Sequence, residues 1–207
     1  MNEPQTTKER LIRAACPVFA EKGFRDATVA EICEKAEANI AAVNYHFGDK
    51  ESLYDAVWRH AFGIAASVYP IDEKLPENPA MEDQLFSFAR AILRRIFSED
   101  ETGHFAKLLC HEITTPTLAL EKIAEEALFP QKQHLRNIIA QDLGNDVDES
   151  VLQLCLRSII GQCAFYNFSR SIRQNMLGKD RLSEQEVDSI ARHIARFSAG
   201  GLKELQS

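Results

Sequence analysis

The chain has 207 residues, 45% hydrophobic and 27% charged, enough to bury a core as one substantial domain or as a small domain joined to a larger one. A net charge of −7 argues against a protein that coats nucleic acid non-specifically, while leaving room for a specific reader with a small positive face. No apolar run approaches the roughly 18 residues of a membrane span, the start MNEPQTTKER has no signal-peptide core, and Cys16, Cys33, Cys110, Cys155 and Cys163 have no C-x-x-C spacing, so a cytoplasmic protein with reduced thiols is expected.

Apolar residues recur with the helical period along nearly every long segment, which predicts an all-α fold. The first helix starts on a Thr cap in TTKERLIRAACPVFAEKG, carries Leu11, Ile12, Ala15 and Phe19 on one stripe and stops at Gly23. Pro17 removes one helical hydrogen bond, so a kink near Arg13 is expected. The second helix opens on Thr28-Val-Ala-Glu31 as a capping box and runs to about Lys35; the third lies in NIAAVNYHF, residues 39–47, and ends at Gly48. Asp49 caps a longer fourth helix, KESLYDAVWRHAFGIAASVY, which stops before Pro70. A polar connection with two prolines follows, then helices over 80–98, 103–113, 117–141, 148–177 and 183–205.

Two short helices joined by a turn of about three residues form a helix-turn-helix arrangement, whose second helix enters the major groove. Val43 and Phe47 would be its buried anchors, leaving Ala41, Ala42, Asn44 and Tyr45 outward. Small side chains let a helix approach base edges closely, and an asparagine amide pairs bidentately with adenine. The competing reading makes NIAAVNYHF a packing corner of a helical bundle. Residues 1 to 60 hold eight Lys or Arg against ten Asp or Glu, a net of −2, so any attraction to phosphate has to be local: Lys50 and the N-terminus of the fourth helix, with Lys8, Arg10 and Arg25 either adding to that face or simply solvated.

TTKERLIRAA, the Phe-Ala-Glu-Lys-Gly-Phe at 19–24, Thr28-Val-Ala-Glu-Ile32, NYHF at 44–47 and DKESLY at 49–54 together resemble the tetracycline-repressor (TetR) family of transcriptional regulators. The resemblance implies an N-terminal three-helix helix-turn-helix DNA-binding domain, residues 1–50. It also implies a larger α-helical domain, residues 51–207, that binds a small-molecule effector and dimerises, usually with repression relieved by effector. It places the recognition helix on residues 39 to 45, with Asn39, Ile40, Ala41, Ala42 and Asn44 toward DNA, and phosphate contacts on Thr28, Tyr45, His46 and Lys50. Ile40 stands where a polar side chain is more usual, so it either touches a thymine methyl or is buried. Asn44 replaces a frequent aromatic.

In the second half, ESVLQLCLRSIIGQCAFYNFSRSI is apolar nearly all round, with Leu152, Leu156, Ile159 and Cys163 on one side and Val151, Cys155, Phe165 and Phe168 on another. The last helix carries Val187, Ile190, Ile194, Phe197, Gly201 and Leu205 at spacings of three and four. Two such helices from each of two chains would build a four-helix dimer interface through Phe165, Phe168, Ile190, Ile194 and Phe197; the alternative is a core packed within one chain. Trp58, Phe62, Phe105, Leu109 and Tyr166 either enclose an effector pocket or fill the core. LLCHEITTPTLAL at 108–120, LFP at 128–130 and IIGQCAFYNFSR at 159–170 resemble the CecR-like (YbiH-like) subset, with Cys110-His111 standing where a basic residue is expected before Glu112.

His104, Cys110, His111 and Glu112 make a poor metal set, because two helical turns put the histidines about 10 Å apart along the axis. Cys110 and His111 point about 100° apart and make no nucleophilic dyad. The sole Glu-x-x-His, Glu101 to His104, is predicted in a loop, and no glycine-rich phosphate loop or G-x-S-x-G occurs. No enzyme activity, metal or cofactor is expected. The expected partners are a double-stranded DNA operator, a small-molecule effector and a second copy of the chain, with no membrane. The competing class is an all-α ligand-binding or interaction protein without DNA binding.

Overall fold

The computed structural model describes residues 6–73, 75, 77–144, 148–169, 172, 175 and 182–205. Among them are ten α-helices and no strand. They are α1 (Thr7–Asp26), α2 (Val29–Lys35), α3 (Ile40–Phe47), α4 (Lys50–Val68), α5 (Met81–Phe97), α6 (His104–Thr114), α7 (Ala119–Ile123), α8 (Phe129–Leu143), α9 (Glu149–Phe168) and α10 (Glu184–Glu204). No helix among the described residues is long and apolar enough to cross a membrane.

The helix starts follow from local chemistry. Thr6 and Glu9 form a reciprocal capping box on α1, and Ser183 and Glu186 do the same on α10. Asn39 accepts the Ala42 N–H at 2.9 Å, and Asp49 accepts the Ser52 N–H at 2.7 Å. On α2 only half of the expected capping box forms: Thr28 accepts the Glu31 N–H, but the Glu31 carboxylate turns to Lys22 at 2.7 Å and Lys35 at 3.6 Å. The expected kink near Arg13 is corrected too. α1 keeps helical dihedrals through Pro17 and leaves them only at Gly23, with φ 72° and ψ 178°.

The helix expected over 117–141 is interrupted. A five-residue π turn, Ala124–Leu128, separates α7 from α8, and Pro130 lies in the first turn of α8. Proline supplies no N–H to the ladder, and the turn ahead of it takes the wider hydrogen-bond spacing. The last part of the helix expected over 148–177 falls mostly outside the described residues; α9 itself ends at Phe168.

The chain forms two compact units: residues 1–68 with 98–124, and residues 69–97 with 125–207. In the first, α1 packs against α2, α3, α4 and α6 around Leu11, Phe19, Ile32, Val43, Leu53 and Val57, all essentially inaccessible. In the second, α5 lies along α10 and also meets α8 and α9. One cluster there holds Leu85, Phe88, Leu135, Leu156 and Leu202, and another holds Ala89, Leu93, Cys163, Val187, Ala191 and Ile194. All five cysteines are free thiols, and burial pushes those of Cys16 and Cys163 up to about 12.

Candidate nucleic-acid interface

α3 is held to its unit by one fully buried side chain, Val43, and by Phe47, which is half-buried with the Lys8 ammonium 5.9 Å from its ring centre. Its opposite face is open. Ile40 is 54% exposed and Tyr45 85%, and Ala41 and Asn44 are exposed with them, Ala42 being half-buried. Ile40 is thus not a core residue. This outward face carries no charged side chain, only small, apolar, amide and phenol groups. Such a surface lets backbone and Cβ atoms come close to base edges without desolvating an ion.

The expected backbone-contact residues surround that face with their own partners. Thr28 and Asn39 are exposed N-caps. Tyr45 and His46 meet edge to face at 4.9 Å. Lys50 is half-buried: its Nζ lies 3.4 Å from the Arg25 carbonyl and 4.6 Å from the Phe24 ring centre, and loss of solvation lowers its pKa. At the start of α4 the Asp49 carboxylate already takes the Ser52 N–H, which holds its pKa below the usual range.

A network that sequence reading passed over lies in the same unit. Tyr54 packs against Phe19 at 4.9 Å and Phe24 at 5.2 Å, and its hydroxyl donates to Glu112 Oε1 at 2.9 Å. Glu112, 1% exposed, also accepts the Thr117 N–H at 3.0 Å and the Thr117 hydroxyl at 2.9 Å. Burial and then the Glu112 charge push the Tyr54 phenol well above its ordinary pKa. Beside Glu112 on α6, the His111 ring closes on Gly23: a Cβ there would sit 2.9 Å from His111 Nδ1, at a φ of +72°. Gly23 occupies a φ/ψ region that is essentially glycine's alone. Gly23→Ala is therefore expected to lose about 1–3 kcal/mol of stability, measured by urea unfolding.

Four of the residues proposed for an effector pocket, Trp58, Phe62, Phe105 and Leu109, lie in the first unit. Phe62 and Phe105 meet at 4.9 Å, Leu109 is half-buried, and Trp58 is buried with its N–H donated to Asp55 at 3.3 Å. Tyr166 belongs to the second unit, where it packs against Phe97 at 6.0 Å. A recess of about 350 Å³ in the first unit is lined by residues including Phe24, Tyr54, Pro116, Thr117 and Leu118.

Of the residues proposed for a dimer interface, Phe165 is 64% exposed and Phe197 68%, Phe168 is exposed with them, and Ile190 is half-buried. Ile194 needs correction. It is 2% exposed and packs with Leu93, Cys163 and Ala191, because α10 turns that side onto α5 of its own chain. Leu154, Gly161, Phe165 and Phe168 continue an exposed stripe of heptad-like spacing along α9, and Gln162 reaches Ser198 of α10 at 3.3 Å.

A helix-turn-helix with an open, uncharged second helix, on a chain that continues as an all-helical protein, defines a helical transcriptional regulator. Two family models match: bacterial regulatory proteins of the tetR family over residues 11–57, and the C-terminal domain of the HTH-type transcriptional dual regulator CecR over residues 81–202. The second spans more than half of the chain, which belongs to the TetR family of transcriptional regulators and to its CecR-like subset. The chain is 28% identical to the dual regulator CecR of Shigella flexneri, covering 92% of this chain and 91% of that protein. It is 23% identical to the transcriptional repressor NicS of Pseudomonas putida, covering 95% and 92%. Among solved structures, FadR from Bacillus subtilis, in complex with stearoyl-CoA, shares the fold with a TM-score of 0.70 at 16% identity, covering 93% of this chain and 98% of that one. A TetR-like regulator from Rhodococcus sp. RHA1 gives a TM-score of 0.67 at 14% identity, covering 97% and 100%.

Proposed function

We propose that this regulator works in the cytoplasm as a homodimer that represses from a palindromic operator and is released by a small-molecule effector. Residues 1–50 bind DNA, and residues 51–207 bind the effector and dimerise. The observation that carries this reading is the open face of α3, where Ile40, Ala41, Asn44 and Tyr45 stand outward around a helix anchored by Val43. Asn44 reads a base edge, Ile40 meets a thymine methyl, and Thr28, Tyr45, His46 and Lys50 hold phosphates. A two-fold dimer presents α3 twice, so the half-sites lie on one face of the duplex. The α9 stripe through Phe165 and Phe168, with Phe197 of α10, forms the dimer contact. Names of relatives favour both signs of control, since CecR is called a dual regulator and NicS a repressor.

The test is direct. Purified protein should shift DNA flanking its own coding region at physiological salt, and a compound from a thermal-shift screen should reverse the shift. Protein that binds compounds but shifts no such DNA would instead be a ligand-binding protein without DNA contact. Lys50→Ala should weaken binding on all sequences and reduce the salt slope by about one for each phosphate it ceases to neutralise.

A further inference from the structure

The second unit buries a cation that has no counter-ion among the described residues. Arg95 of α5 is 4% exposed. Its Nε and Nη2 donate to the Tyr69 carbonyl at 3.0 and 2.5 Å, and its Nη1 donates to Gln131 Oε1 at 2.8 Å. Both acceptors are neutral, and no carboxylate pairs with Arg95 among the described residues. Its helix neighbours are treated differently. Arg90 pairs with Asp188 at 2.6 Å and Glu73 at 3.3 Å, and Arg94 pairs with Glu184 at 2.6 Å, all nearer to solvent. Among the described residues, carboxylates pair with the arginines nearer to water and none pairs with the one that is buried.

Neutralisation does not resolve this. Desolvation lowers the Arg95 pKa to about 10, so the group stays charged at neutral pH. A buried ion needs an opposite charge as well as hydrogen bonds. A guanidinium has five N–H donors, and the bonds to Tyr69 and Gln131 use three, leaving two for a further acceptor. The surroundings point the same way. Arg94 Nε is buried without an acceptor, and the Arg94 guanidinium lies 5.6 Å from the ring centre of Tyr69. Gln131 donates to the Ala127 carbonyl at 2.7 Å, within the π turn, a local widening often found at functional sites. One turn beyond Gln131 on α8 lies Leu135, fully buried in the apolar cluster of this unit with Leu85 and Phe88.

We propose that the effector is an organic anion, a carboxylate or phosphate on an apolar body, whose charged end pairs with Arg95. This rests on the effector reading above and adds the chemical class of the ligand. The forked donor geometry suits either headgroup.

The full-length protein is titrated with decanoate, decyl phosphate and decanol, following melting temperature and operator release in the same samples. The anions should raise the melting temperature saturably and decanol should not. Arg95→Gln should weaken anion binding by ~10-fold or more, whereas Arg90→Gln should leave it unchanged. An equal response to decanol, no response to any of the three, or an undiminished response in Arg95→Gln overturns the proposal. Should Arg95→Gln fail to fold by circular dichroism, the contrast between decanoate and decanol on the wild-type protein still decides. Anion binding through Arg95 without operator release would sink the effector reading and leave the site standing. Operator release by decanol alone would do the reverse.

Discussion

Replacing Phe165 and Phe197 together by aspartate should convert the protein from dimer to monomer at micromolar concentration and abolish operator binding with it. Both rings are largely exposed, on packed helices of one unit, flanked by the neighbouring Tyr166 and His193 rings but left open to solvent over most of their surface. In a two-fold interface each substitution enters twice. An unpaired carboxylate in an apolar contact costs several kcal/mol, which is comparable to what holds a micromolar dimer together. The fold should survive, because neither side chain belongs to a core cluster; an unchanged melting transition beside a halved mass in sedimentation is the expected pair of results. Wild-type protein that sediments as a monomer at micromolar concentration would remove the dimer from the account.

Glu112→Ala should be the most destabilising single change in the first unit, by about 3–5 kcal/mol in urea unfolding. It strips the acceptor from the Tyr54 hydroxyl, the Thr117 N–H and the Thr117 hydroxyl at once, and leaves a void at a site that is 1% exposed. Tyr54→Phe removes one donor from the same carboxylate and should lose far less, about 1–2 kcal/mol. If both variants unfold at the wild-type urea concentration, the network contributes nothing to the fold.

How much of this is legible in the sequence depends on the distance over which each feature is encoded. The caps at Thr6, Asn39, Asp49 and Ser183 are written in three or four consecutive residues, and the starts of α1, α3, α4 and α10 follow from them. The outward set on α3 is readable from period alone, Val43 marking the inner side. The half-formed capping box at Thr28 is not, since Glu31 is drawn off by Lys22, nine residues back. The π turn escapes because the 3.6 period continues across 117–141 and Pro130 at a helix start looks the same as Pro130 after a widened turn. Glu112 stands out in the sequence as a candidate metal ligand and as part of LLCHEITTPTLAL, but not as a hub of hydrogen bonds, since its partner Tyr54 lies 58 residues away. For α9 and α10 the sequence shows apolar residues on several sides. Which side faces the chain's own α5, as Ile194 does, and which is left open, as Phe197 is, is decided by tertiary packing.

The central claim is that the open face of α3 reads DNA, and the affinity of Asn44→Ala across single-base-pair variants of the operator tests it most directly. The variant, still a folded dimer, should lose about 1–3 kcal/mol on the wild-type operator and become indifferent to one base pair in each half-site, while its salt slope stays unchanged. An Asn44→Ala protein that binds the operator with wild-type affinity and wild-type base preference would contradict the claim and leave NIAAVNYHF a packing corner.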